Sequence, residues 1–380
     1  MYRSISRSFL LFLFCVISSY AQESETKSKL KFDGDFRFRI EQDWNSKKSD
    51  GSFRDDRSRL RYRVRLGITY EAQDWLTVGA RIRTGIPNKQ QDPHLTLGDG
   101  FKEFGGLPVA FEKAYAKFKY DWFSAWIGKN TYPFEKQNEE FWSDNVYPEG
   151  VFINGLFPFE NKFLDSFGIN LGHFIGISNG LSFSNDSYFE GLQFVATTLS
   201  KRLTVYSGIF YFNKMPNIPD GNGTFNINYT IINSGVKLEI IKKPKVVIGF
   251  EFHNNVQDLS KNDSISSRFK NQKNGGIAMI TIGKLDKKKD FLLKLNYCYM
   301  ERYAAVDYYA QNDWVRWDYS SQGSPDGRLT NFKGLEVMGG YAINEKINLK
   351  LRFFTVQQIL SYGVGRENGN RIRLDFNVKL

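Results

Sequence analysis

Long hydrophobic runs are missing from most of this chain. After Ala21 no stretch of 18 consecutive apolar residues occurs, so a helical membrane span is excluded. Cysteine is nearly absent too. The two cysteines are Cys15 and Cys298, and Cys15 lies in the N-terminal apolar run without the small residues that precede a lipidated cysteine. The three histidines, His94, His173 and His253, are scattered and belong more naturally to walls and loops than to a catalytic base. No Gly-x-Ser-x-Gly, His-Glu-x-x-His or phosphate-binding loop is present. Asp92-Pro93-His94 with Asp99, and Asp220-Gly221-Asn222-Gly223, have the composition of turns rather than of a metal site. These absences argue against an enzyme and against any resident cofactor. No Pro-rich or Gly/Ser-rich linker divides the chain and no repeat of 20 to 50 residues stands out, which leaves one domain.

What is present begins with a processing signal. Arg3 and Arg7 precede an apolar run from Phe9 to Ile17, followed by Ser18-Ser19-Tyr20-Ala21. This is the pattern of a secretory signal peptide over residues 1–21, with the barrel domain described below over 22–380. Cleavage would leave Cys298 without an intramolecular partner. It would also lower the formal net charge of +11 by the two arginines. The remaining positive excess fits an anionic surface or an anionic solute, and export makes nucleic acid an unsuitable partner.

Residues 57–70 then read Arg-Ser-Arg-Leu-Arg-Tyr-Arg-Val-Arg-Leu-Gly-Ile-Thr-Tyr. Arg57, Arg59, Arg61, Arg63 and Arg65 occupy alternate positions, with Leu60, Tyr62, Val64 and Leu66 between them. In a strand the two sets point to opposite faces. Five guanidinium groups cannot form a dry core. A transmembrane barrel accommodates both faces, with the apolar one toward lipid and the arginines toward a watery lumen. The aromatic content of 16% suits girdles at two membrane interfaces, and the mean hydropathy of −0.44 suits strands that are half solvated.

The same alternation recurs and predicts an all-β fold, a transmembrane antiparallel β-barrel of about 16 strands. The first lies around 31–41, followed by 57–70, 76–85, 111–120, 123–130, 150–156, 166–175 and 189–199. The second half lies at 202–212, 227–240, 245–254, 274–283, 291–303, 332–343, 347–358 and 370–380. Connections at 121–122, 200–201, 242–244 and 344–346 are tight. Those at 43–56, 86–110, 131–149, 255–273 and 304–331 are long and polar. Short periplasmic turns and long external loops alternate in outer-membrane barrels, and an even strand number puts both termini in the periplasm. The predicted location is therefore the cell outer membrane, with membrane lipid as the outer partner.

On this parity the first four strands form one pore-lining basic wall. It holds Arg37, Arg39, Arg57, Arg59, Arg61, Arg63, Arg65, Arg81, Arg83, Lys113, Lys117 and Lys119, opposed only by Asp33, Asp35 and Glu41 on the first strand. Strands about 4.8 Å apart crowd these charges into one field, and cationic rings in a pore favour anions. The loop at 131–149 is opposite in character, carrying Glu135, Glu139, Glu140, Asp144 and Glu149 against Lys136. It is the candidate constriction loop, expected to fold into the lumen by attraction to the basic wall.

Several segments resemble the outer-membrane porins of Bacteroidota, general porin-like β-barrels. They are Phe36 to Arg39, Arg59 to Arg65, Gly79 to Gly85, Gly128 to Phe134 and Gln137 to Trp142. They cover roughly residues 31–150, and beyond that the likeness rests on strand rhythm. The resemblance implies passive diffusion of small hydrophilic solutes, a third external loop that constricts the pore, and by analogy a homotrimer. The chain departs from barrels that end on an aromatic residue, because it ends on Leu380. Two other functions remain open on the sequence. One is a solute-specific oxyanion channel; the other is a closed barrel acting as a surface adhesin or scaffold.

Overall fold

The computed structural model describes residues 29–98, 105–159, 163–180, 182–218, 224–314 and 327–380. The signal segment 1–21, Asp99 and the Asp220–Gly223 segment lie outside the described residues.

Alternating apolar and polar residues form sixteen barrel strands in chain order. The first half comprises β1 (Leu30–Lys47), β2 (Arg57–Gln73), β3 (Leu76–Thr84), β4 (Val109–Tyr120), β5 (Phe123–Lys129), β6 (Glu149–Pro158), β7 (Ser166–Ile177) and β8 (Ser187–Thr198). The second comprises β9 (Leu203–Pro216), β10 (Asn226–Lys242), β11 (Lys245–Asn255), β12 (Asn274–Gly283), β13 (Phe291–Met300), β14 (Phe332–Ala342), β15 (Ile347–Gln358) and β16 (Asn368–Lys379). A two-residue strand, Leu95–Thr96, adds to β2 from the connection between β3 and β4. Every barrel strand pairs antiparallel with its sequence neighbours. β1 and β16 close the cylinder, from Asp35 opposite Lys379 to Lys47 opposite Asn368. Closure leaves no free edge, which a spanning sheet requires.

The face parity follows the sequence pattern. Leu60, Leu66 and Ile68 are exposed on the outside of β2, while Arg61, Arg63 and Arg65 are buried on the inside. Aromatic residues collect outside near the tight turns, including Tyr70, Trp75, Tyr120, Trp122 and Phe291. Such an apolar outer surface with an aromatic girdle belongs in an outer membrane. β1 runs to Lys47 and β6 starts at Glu149, so both strands extend beyond the alternation read from sequence.

The buried apolar cluster lies inside the barrel. Trp126, Phe152, Phe174, Phe189, Phe210 and Phe212 project from the inner faces of β5 to β9. They form an aromatic wall opposite the arginines. The connection between β5 and β6 lies on this wall and contributes Tyr132, Phe134, Phe141 and Trp142 to the cluster.

Candidate functional site

The lumen is built from two unlike walls and three inward loops. On the basic side, the arginines of β1 and β2 share a cavity of about 510 Å³ with residues distant in sequence. Arg371 and Arg373 of β16, Arg352 and Lys350 of β15, Lys294 of β13, Lys136 and Arg328 complete its cationic lining. The alternation at 371–379 was legible in the sequence. Only the β1–β16 closure brings that face beside Arg39 and Glu41. Fourteen Arg and Lys side chains line the cavity against six carboxylates.

The wall is far more paired than its sequence implies. Arg39 forms two hydrogen bonds to Asp375, at 2.6 and 2.9 Å. Arg57 meets Asp43 at 2.7 Å, and Asp43 also accepts from Arg371 at 2.5 Å. Arg59 and Arg373 share Glu41, at 2.9 and 2.6 Å. Arg61 pairs with Asp92, and Arg63 with Asp35. A guanidinium removed from water requires such partners, and bidentate carboxylates supply them in fixed geometry.

Glu112 shows why this acid count escaped sequence reasoning. Strict alternation would put it on the lipid face beside inward Lys113. Instead the β3–β4 register slips by one residue between Arg81–Lys113 and Ile82–Phe111. This β-bulge turns Phe111 outward and Glu112 into the interior. There Glu112 accepts from Arg65 and Arg81, each at 2.6 Å. Arg81 and Arg83 consequently leave the cavity lining. Arg81 also donates to the Tyr147 hydroxyl at 2.7 Å, and Arg83 donates to the carbonyls of Thr84 and Lys89. Lys113 lies over the Tyr147 ring, 5.5 Å from its centroid. Lys117 and Lys119 are exposed toward the tight-turn end of β4.

The third long connection, residues 130–148, folds into the barrel. Its attachment is chiefly apolar, not the attraction to the basic wall that its acidity suggests. The Phe134 ring lies 5.1 Å from Phe210, 5.7 Å from Phe152 and 6.0 Å from Phe189, centroid to centroid. It fills a notch at Gly191, where a Cβ would lie 2.5 Å from the ring. Trp142 stacks on Tyr132 at 4.7 Å and packs against Tyr309 at 4.5 Å. Polar groups fix the register of this packing. The Gln137 amide nitrogen donates to the Phe250 and Val236 carbonyls, and its backbone N–H donates to Glu251.

The acids of this loop have separate fates. Glu135 pairs with Lys237 at 2.9 Å, and Asp144 pairs with Lys136. Glu139 accepts from Gln311. Glu149 is the first residue of β6, not of the loop, and pairs with Lys129. Glu140 is almost fully buried, and neither carboxyl oxygen has a hydrogen-bond partner. Burial, then the carboxylates of Glu336 and Glu139, pushes it well above the usual carboxyl range.

Two further connections join this loop. Gln91, between β3 and β4, donates to the carbonyls of Tyr308 and Ala310, between β13 and β14. Ser143 N–H donates to the Tyr309 carbonyl, and Gln311 N–H to the Glu139 carbonyl. Asp313 pairs with Arg352 and Arg373. Burial alone would raise its carboxyl, but the two guanidiniums hold it well below the usual range. Nothing in the sequence around 304–314 marks this contact. His94 is buried behind the arginines, and burial followed by Arg39 and Arg63 holds its imidazole well below the usual range. Among the described residues no group of three or more His, Cys, Asp or Glu is arranged to hold a metal.

Across the inward loops from the arginine cavity is a second one of about 610 Å³. Its lining includes Tyr308, Tyr309, Trp142 and the external ends of β7 and β9. Gln91, Asp92, Asn312 and Arg328 line both cavities. The interior is therefore an aromatic vestibule above a cationic chamber.

Comparison with known proteins agrees with this architecture. A family model described as "Putative porin" matches residues 49–188. The chain is similar in structure to Pseudomonas putida OprB, with a TM-score of 0.56 and 12% identity over 93% of this chain and 94% of that one. It is similar to Salmonella typhi OmpF, solved with daunomycin, with a TM-score of 0.53 and 11% identity over 93% and 98%. A triple mutant of Rhodopseudomonas blastica porin gives 0.51 and 10% over 92% and 99%. At these identities the likeness is one of fold, a porin-like β-barrel. A search of curated proteins gave no match.

Proposed function

We propose that this chain is an outer-membrane porin through which small hydrophilic solutes diffuse passively, with a preference for anions. The observation that carries the reading is the charge of the lumen chamber, fourteen cationic side chains against six acids. The cationic excess survives when Asp35, Glu41, Asp43 and Glu112, which pair with these arginines from outside the lining, are counted against it. Fixed charge along a solvated path sets the sign of the ion that concentrates there.

The segment 131–149 acts as the constriction loop in this reading, supported by its seat on the aromatic wall. Residues 1–21 act as a signal peptide, and 22–380 form the exported barrel. The opening-strand motifs favour a place among Bacteroidota porins, and the barrel size suits a homotrimer. Membrane lipid and small anionic solutes are the partners.

Planar-bilayer recording of the purified protein tests the reading. Stable single-channel steps are expected. A barrel that inserts but carries no current would favour the closed scaffold, a role that the hydrogen bonds among the three inward loops would also serve.

A further inference from the structure

A guanidinium already paired with a carboxylate is a poor partner for a passing anion. The anion must displace a fixed competitor, and the pair's field falls off as that of a dipole. Every arginine of the β2 ladder is in this position, from Arg57 with Asp43 to Arg65 with Glu112.

Two lysines of the chamber differ. Lys294 on β13 and Lys350 on β15 are half-buried in its lining, and among the described residues neither has a hydrogen-bond or ion-pair partner. The nearest acids are committed elsewhere. Glu336 accepts from Arg352 at 2.6 Å and from Asn296 at 2.6 Å. Asp375, the cross-strand partner of Lys350, holds Arg39 through both oxygens and lies 3.8 Å from Arg37. Between the two lysines β14 presents Met338 opposite Lys294 and Gly340 opposite Lys350, so β14 itself puts no charge between them; Arg352, in register with Lys294 across Met338, is held by Glu336 and Asp313. Two strand spacings across and two residues along put the backbones about 12 Å apart, a span that two long flexible side chains leaning toward each other can close over one small ion.

We propose that Lys294 and Lys350 form an oxyanion-binding station in the lumen, and that this station, rather than the arginine ladder, sets the pore's preference among anions. Its ligand class is a small oxyanion, phosphate or a carboxylate. Each ammonium offers three donors and no acceptor, so it meets an oxyanion without geometric demand. The paired arginines hold the wall rigid behind it. The inference rests on the reading of the lumen as a conducting, anion-favouring path.

The test uses the whole barrel in planar bilayers, with inorganic phosphate as the probe. Four forms are compared: wild type, Lys294→Gln with Lys350→Gln, Lys117→Gln with Lys119→Gln, and Arg63→Gln with Asp35→Asn. The third removes two lumen charges at the periplasmic mouth, and the fourth deletes a ladder pair at constant net charge. Phosphate should reduce the chloride current of wild type. Each lost station lysine should weaken that reduction roughly tenfold, the worth of one charge-assisted hydrogen bond. The mouth pair and the ladder pair should stay within about twofold of wild type. Equal weakening in the station and mouth variants would overturn a local site in favour of the general field. Retained block in the station variant, or loss in the ladder-pair variant, would overturn it outright. A wild type that conducts without anion preference would instead fail the anion-favouring reading on which this station rests, a distinguishable outcome.

Discussion

Removing one aromatic ring from the inward loop should release it, whereas removing its charges should not. Phe134 is 4% exposed and touches rings from four barrel strands and from Tyr132. Phe134→Ala would empty the notch at Gly191, and a buried Phe→Ala costs about 3–5 kcal/mol where the site cannot collapse. That shifts the docked-to-released equilibrium of the loop by about a hundredfold to a few thousandfold. The ion pairs of the loop are worth much less. Glu135 and Asp144 are 43% and 65% exposed at their side chains, and such pairs contribute about 0–1 kcal/mol each. Glu135→Gln with Asp144→Asn should therefore leave the loop docked. Two readouts apply to refolded, heat-modifiable protein: protease nicking within residues 130–148, and single-channel conductance with its fluctuations. The expected outcome is rapid nicking and larger, noisier steps for Phe134→Ala, with the double acid variant near wild type. Release by the acid variant and retention by Phe134→Ala would refute apolar anchoring and restore attraction to the basic wall.

Other perturbations address the facing and the pH response. Val64→Arg or Leu66→Arg puts charge on the lipid face of β2 and should cost about 2–4 kcal/mol near the midplane, seen as failed assembly on gels, while Thr69→Arg on the lumen face should assemble. Glu140 is a carboxyl raised in the docked state by burial and neighbouring acids. Its favourable share in docking is full below the unfolded value of about 4.3 and is lost as pH rises through the raised one. Loop protection from protease should therefore decline with rising pH, and Glu140→Gln should flatten that profile; an unchanged profile in the variant would remove Glu140 from the account.

The barrel was largely legible because a period of two, sustained over 9 to 18 residues in most strands, fits a two-faced strand and not a helix. Arg57 to Arg65 stated the inner face of β2 outright, and the run from Arg371 to Lys379 stated that of β16. What could not be read was adjacency. Glu41 serves Arg59 and Arg373 because β1 lies between β2 and β16, a fact of closure rather than of any local pattern. Glu112 was hidden by a bulge, which breaks the alternation from which facing is inferred. Asp313 was hidden in a long loop with no periodicity at all. The acidity of residues 131–149 does not account for their seat inside the barrel, since Phe134, Phe141 and Trp142 within them do most of the anchoring.

The central claim is that the chamber's positive excess governs which ions pass. It is tested most directly by the reversal potential of the wild-type channel across a gradient of potassium chloride at low ionic strength. Screening is weak there, with a Debye length of about 30 Å at 0.01 M against about 3 Å at 1 M. The account predicts a potential of the sign set by chloride, shrinking as both solutions approach 1 M. A potential of the sign set by potassium, or one that does not change with salt, would contradict it.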